Sequence, residues 1–267
     1  MRCAVLGSPV AHSLSPVMHR AAYAELGLDW TYEPVEVRAG ALAEFLGALG
    51  EDVRGLSVTA PLKSEAAAAA HYRSEVVELL GIANTLIVED DRLSADNTDV
   101  PGALAALAER GIDSVVSARI LGGGATAASM AHALSTIGVQ HLDLVVRDPD
   151  RAVDAVAIAR GSGVEVEVSL LDHSPAGPVD LLVSTIPVSA VQAHAVAWAE
   201  GATTVFDVVY DPWPTALATA AEAGGSTVVS GLDLLAHQAA LQVVLMTGDS
   251  VDPQVLRAAA LAHLSRR

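Results

Sequence analysis

The chain has 267 residues, of which 52% are hydrophobic, 3% aromatic and 18% charged, enough apolar side chain to fill one large or two ordinary domains and too much for a disordered one. Its formal charge of −17, from 15 basic against 32 acidic residues, repels phosphate backbones and anionic lipid, so neither nucleic acid nor a membrane is expected as a partner. The single cysteine, Cys3, cannot form an internal disulfide, no His/Cys spacing suits a metal, and no apolar run approaches the ~18 residues of a membrane-spanning helix; the expectation is a cytoplasmic protein without a metal.

Strand and helix patterns alternate along the chain, which predicts an α/β fold with parallel sheets flanked by helices. The first half reads as strand Arg2–Leu6, helix Val17–Leu26 with Ser15 as N-cap, strand Tyr32–Val37, helix Ala41–Leu49 and strand Leu56–Thr59. Short helices from Ser64 and near Ser74–Leu80 follow, then a hairpin pair, Thr85–Val88 and Arg92–Ala95, around Asp90-Asp91. Helix Gly102–Arg110 connects to a second half. That half reads as strand Ala118–Leu121, helix Ala127–Ile137, strand Leu142–Val146, helix Arg151–Ala159 and strands Val164–Ser169 and Leu181–Ser184. Helix Ala190–Ala199, strand Thr204–Val209, helix Thr215–Ala223, strand Thr227–Val229 and helices Leu234–Met246 and Pro253–Leu264 complete it.

Rare residues mark the chemistry. Against fourteen arginines there is one lysine, Lys63, in Val58-Thr59-Ala60-Pro61-Leu62-Lys63. An ammonium can exchange its proton where a guanidinium cannot, so a lysine in this arginine-rich chain suits an acid or base; a chance surface lysine at a helix start is the competing reading. The two asparagines, Asn84 and Asn97, both precede threonine, and an amide that donates and accepts suits a hydroxyl-bearing ligand as well as a turn. Ser13 and Ser15 put two hydroxyls in one turn, where they can cap a helix or hold a polyol. The run Ile120-Leu121-Gly122-Gly123-Gly124-Ala125-Thr126 has the strand, glycine turn and helix start that face a pyrophosphate with backbone amides. At the end of the next strand stand Arg147 and, four residues on, Arg151, which suit a ribose 2′-phosphate; a cluster at an exposed helix start is the competing reading.

Taken together, Gly7-Ser8-Pro9-Val10-Ala11-His12-Ser13-Leu14-Ser15-Pro16 with His19, the Lys63 segment, Gly81-Ile82-Ala83-Asn84-Thr85 and Asp96-Asn97-Thr98-Asp99-Val100-Pro101-Gly102 resemble the shikimate dehydrogenase family. Ser184-Thr185-Ile186-Pro187, Phe206-Asp207-Val208-Val209-Tyr210-Asp211-Pro212 and Gly231 through Gln238 follow in that family's order. The resemblance implies a substrate-binding α/β domain over residues 1–100, completed by 238–267, and a Rossmann-type NADP-binding domain over 101–237. It implies Lys63 and Asp99 as catalytic residues, with Ser13, Ser15, Thr59, Asn84, Tyr210 and Gln238 holding a small-molecule substrate. Gly122, Gly123, Gly124, Ala125, Thr126, Arg147, Arg151 and Gly231 would hold NADP. The implied reaction is reversible reduction of 3-dehydroshikimate to shikimate with NADPH, in aromatic amino-acid (chorismate) biosynthesis, by a monomer or homodimer. A quinate/shikimate enzyme preferring NAD, and a catalytically silent dinucleotide-binding regulator, are the alternatives. Ser57 stands where the family often has Asn, Arg20 and Ser184 likewise, and Val146 and Asp148 flank Arg147 in place of Asn and Thr.

Overall fold

The computed structural model describes residues 1–90, 92–171 and 177–266. The chain divides into two compact units, Met1–Thr98 with Leu235–Arg267, and Asp99–Leu234; the sequence alone places these boundaries at 100/101 and 237/238.

The first unit opens with β1 (Arg2–Gly7), α1 (Ser15–Glu25), β2 (Thr31–Glu36), α2 (Leu42–Gly47) and β3 (Val53–Val58). It continues through α3 (Lys63–Ala69), β4 (Tyr72–Arg73), α4 (Glu75–Leu80), β5 (Thr85–Glu89) and β6 (Arg92–Asp96). The sheet order is β2-β1-β3-β5-β6-β4. β1 runs parallel to β2 and β3, whereas β5 is antiparallel to both β3 and β6. One reversed strand therefore puts the beginning of β5 beside the ends of β3 and β6: Thr85 pairs with Ser57 on one side and Asp96 on the other. The two-residue β4 has no counterpart in the sequence reading; both its residues are exposed, so no apolar pattern announces it. Asp91, at the expected hairpin turn, lies outside the described residues.

One side of the sheet packs on Leu6, Leu42, Leu56, Leu62, Val77 and Leu86, all buried, and each such side chain removed from water contributes about 2 kcal/mol before chain entropy is counted. Ser15 is not the N-cap of α1 but its first helical residue, flanked by Leu14; Ser13 Oγ accepts from the Ser15 amide instead, at 3.2 Å. The Ser15 hydroxyl is thereby released from backbone duty.

The second unit comprises α5 (Asp99–Ala108), β7 (Ser117–Leu121), α6 (Ala125–Thr136), β8 (His141–Val146), α7 (Val153–Gly161), β9 (Glu165–Leu170) and β10 (Val179–Ser184). Then come α8 (Val188–Val191), α9 (Ala195–Ala199), β11 (Ala202–Asp207), α10 (Ala216–Ala223) and β12 (Thr227–Ser230). Its sheet is parallel throughout in the order β12-β11-β10-β7-β8-β9. Numbered along the unit this is 6-5-4-1-2-3, the doubly wound order in which ligands bind beyond the carboxyl ends of the strands where the order reverses, here between β7 and β10.

Two expected helices differ in detail. Arg151 belongs to a 3₁₀ turn, Pro149–Ala152, ahead of α7. The helix expected over Ala190–Ala199 is split into α8 and α9 by a 3₁₀ turn at Gln192–His194, whose residues are exposed and have no core contact to hold a continuous helix. α11 (Gly231–Thr247) and α12 (Pro253–Leu264) close the chain. α11 starts with a reciprocal cap, the Asp233 carboxylate accepting from Ser230 N at 2.9 Å and Ser230 Oγ from Asp233 N at 3.2 Å.

Candidate active site

In the first unit, the ends of β1, β3 and β6 and the beginning of β5 meet at one edge of the sheet. The loops after β1 and β3 are tied together by Ser8 N donating to Ala60 O and Thr59 N to Leu6 O. Gly7 is required there, because a Cβ would stand 2.4 Å from Thr59 Cγ2. Lys63, after the β3 loop, starts α3 half-buried, and its carbonyl accepts from Ala83 N. Asn84 follows at once: its Oδ1 accepts from Thr98 N and Thr85 Oγ1, each at 2.8 Å, and its Nδ2 donates to Thr98 Oγ1 at 2.9 Å and Gln238 Oε1 at 3.3 Å. Gln238 thus joins Asn84 from the far end of the sequence. Asp99 is the next residue after Thr98 and opens α5 in the second unit.

Beneath these groups lies His19, fully buried, its ring stacked on Tyr32 at 4.0 Å between centroids. Nδ1 lies 2.9 Å from the Ser15 carbonyl, which only accepts, so Nδ1 carries the proton and Nε2 is a bare acceptor, with no partner among the described residues. Burial pulls the pKa of this ring down to about 4, from an ordinary 6.5. Between these two values the unfolded chain binds a proton that the folded one does not, so stability falls as pH drops through that window. Wild-type protein should therefore lose about 2 kcal/mol more than His19→Phe protein between pH 7 and pH 5 in urea titrations. Equal losses in the two proteins would show that His19 takes up its proton without cost when folded.

In the second unit, a pocket at the reversal point is lined by Gly122, Gly123 and Gly124 after β7, by Val146, Arg147, Asp148 and Arg151 after β8, and by Thr185, Ile186 and Pro187 after β10. Gly122 has φ +119°, and a Cβ there would meet Thr185 Oγ1 at 2.2 Å; at Gly123 it would meet the Arg151 carbonyl at 2.6 Å. These two glycines let the β10 loop and the arginine-bearing turn close onto the first loop. A Cβ on Gly124 would meet nothing within 4 Å among the described residues, which leaves room for a ligand at the start of α6. Helix starts of this kind favour an anion.

The exposed side chains of Arg147 and Arg151 make no ion pair or hydrogen bond among the described residues. Asp148, next to Arg147 in sequence, caps the 3₁₀ turn, its carboxylate accepting from Asp150 N at 3.1 Å. In a chain with a charge of −17, two unpaired guanidiniums on one pocket form a local site for an anion of high charge.

Of the residues expected from sequence, Ser13, Ser15, Thr59, Lys63, Asn84 and Gln238 all belong to the first unit, and Gly122–Gly124, Arg147 and Arg151 line the second unit's pocket. Ala125 and Thr126 lead α6 behind the glycine turn. Tyr210 and Gly231 are not among the residues lining that pocket; Gly231 packs so tightly on the β11 loop that a Cβ would stand 1.9 Å from the Val208 carbonyl oxygen. Sequence reasoning overlooked Tyr32 and Gln242, both buried and both bonded to Ser57. Gln242 had a readable signal: it lies one helical turn after Gln238, in the apolar run Ala239–Met246.

The model of the shikimate dehydrogenase substrate binding domain matches residues 5–86. A shikimate dehydrogenase (NADP(+)) of Moorella thermoacetica is 36% identical over 257 residues, covering 92% of this chain and 87% of that one. The crystal structure of Mycobacterium tuberculosis shikimate dehydrogenase superposes with a TM-score of 0.89 at 37% identity, covering 98% of this chain and 99% of the other. That of a Thermus thermophilus shikimate 5-dehydrogenase in complex with NADP(H) and shikimate gives 0.83 at 34%, with coverage of 98% and 99%. The chain belongs to the shikimate dehydrogenase family.

Proposed function

We propose that this protein is an NADP-dependent shikimate dehydrogenase, an oxidoreductase that reversibly reduces 3-dehydroshikimate to shikimate with NADPH in aromatic amino-acid (chorismate) biosynthesis. The first unit is then the substrate domain and the second the NADP-binding domain. The observation that carries the reading is the pairing of two sites in one chain: an edge of hydroxyls and carboxamides beside the chain's one lysine, and a glycine-lined pocket with two unpaired arginines.

NADPH, when bound, supplies the hydride. Addition of hydride to the substrate ketone leaves an alkoxide, and the Lys63 ammonium meets that need by polarising the carbonyl and giving its proton to the oxygen. Asp99 orients the ammonium. Ser13, Ser15, Thr59, Asn84 and Gln238 hold the substrate's hydroxyls and carboxylate, with Tyr210 a further contact. On the cofactor side, the amides from Gly122 to Thr126 take the pyrophosphate, Arg147 and Arg151 clamp the 2′-phosphate, and Gly231 contributes backbone.

The two guanidiniums of Arg147 and Arg151 support NADP over NAD, because only the 2′-phosphate offers them a charge to grip. Steady-state assays of purified protein with shikimate and with quinate, each against NADP+ and NAD+, test the whole reading. Turnover of shikimate with NADP+ is expected to dominate; faster turnover with NAD+ and quinate would favour the quinate/shikimate enzyme, and no turnover with any pair the silent regulator.

A further inference from the structure

The first unit holds a buried hydrogen-bond chain whose proton positions are dictated by two backbone groups. Gln242 Nε2 lies 3.0 Å from the Asn84 carbonyl, which only accepts, so that end of the amide is the donor and Oε1 is the acceptor. Ser57 Oγ, 2.7 Å from Oε1, must therefore donate to it, and its oxygen is left to accept from the Tyr32 hydroxyl at 2.5 Å. Tyr32 in turn is stacked on His19, whose Nδ1–H donates to the Ser15 carbonyl at 2.9 Å. On the other branch, Gln242 Nε2 donates to Thr85 Oγ1 at 2.9 Å, and Thr85 passes its own proton to Asn84 Oδ1. Thr98 N, a donor only, also points at Asn84 Oδ1, so the Asn84 amino group is fixed toward Thr98 Oγ1 and Gln238.

Ser57 is the junction of this chain, between the segment that carries Ser15 and the one that carries Asn84. It is buried at 4% exposure with both hydrogen-bonding directions in use, and its neighbour Tyr32 is immobilised by the stacked His19 ring. A polar network in an apolar core is costly unless every member is satisfied, and a satisfied one fixes a single arrangement. We propose that Ser57 is a positioning residue for substrate recognition: through Tyr32 and the His19 ring stacked on it on one side, and through Gln242 on the other, it sets the position of the Ser15 turn and the orientation of the Asn84 carboxamide. This rests on the assignment of Ser15 and Asn84 to the substrate.

The test compares Ser57→Ala, Ser57→Thr and Tyr32→Phe with wild type. Ser57→Ala should raise the KM for shikimate about tenfold, leaving kcat within about twofold and the KM for NADP+ unchanged, because the lost order concerns substrate binding alone. Ser57→Thr, which restores the hydroxyl, should recover most of that loss. Tyr32→Phe should give the same signature, and the double variant Ser57→Ala/Tyr32→Phe should be no worse than the poorer single one, since both cut one chain. Tyr32→Phe also carries the test if Ser57→Ala does not fold. A lowered melting temperature with an unchanged shikimate KM would overturn the proposal, leaving Ser57 a core residue. Independently of turnover, the side-chain amide resonances of Asn84 and Gln242 should move in nitrogen-15 spectra of Ser57→Ala protein. Unmoved Asn84 signals would overturn the relay even if the wild type failed to turn over shikimate, an outcome that would by itself sink the functional reading.

Discussion

Lys63→Ala protein should keep its fold and its affinity for shikimate while kcat falls by about 10²- to 10⁴-fold, the usual contribution of a positioned proton donor. The fold is expected to survive because Lys63 is the half-buried first residue of α3, where alanine is a good helix former. The fall should appear in kcat and kcat/KM together, the signature of an interaction made only in the transition state. Lys63→Arg separates charge from proton transfer: the cation remains, but a guanidinium does not release a proton near neutrality, so activity should stay low. Near-normal kcat in either variant would return Lys63 to the solvated surface.

Arg147→Ala and Arg151→Ala should each raise the KM for NADP+ on the order of 10- to 100-fold while leaving that for NAD+ nearly unchanged. A hydrogen bond to a charged group contributes about 1.5–3 kcal/mol, and only the phosphorylated cofactor presents the charge. Because neither side chain has a partner among the described residues, each substitution removes a contact to the ligand and none within the fold. Equal losses with both cofactors would mean that the two arginines serve the pocket's shape. Steady-state titration of each cofactor at saturating shikimate distinguishes these results.

The second unit is legible in the sequence because its strands and helices alternate with apolar runs and glycine stops, and one doubly wound order satisfies such a pattern. The first unit is legible in its elements but not in their directions. The hairpin Thr85–Glu89 with Arg92–Asp96 can be read locally, yet nothing near it says that β5 pairs antiparallel with β3, a partner some thirty residues back. Local rules also misplace a cap. Ser15 before Pro16 looks like an N-cap, but the turn uses Ser13 for that amide and takes Ser15 into the helix. The candidate site divides the same way: Lys63, Asn84 and the glycine turn stand out by rarity or motif. The Ser57–Gln242 and Asn84–Gln238 bonds join residues more than 150 positions apart, and no spacing rule reaches that far.

The first unit is closed by a helix made after the second unit. α11 emerges from the ribosome after every strand of the second unit, so through most of synthesis Ser57, Asn84 and Thr85 stand without Gln238 and Gln242, polar groups in a cavity that only the returning helix fills. Until then that edge of the sheet must stay wet, and the first domain to be translated is the second to be finished. A nascent chain stalled before residue 238 would carry the second unit's complete sheet and a half-built first unit. Premature termination should therefore leave a folded second unit joined to an unstable first one, and the cell's quality control would meet this chain at its amino-terminal half.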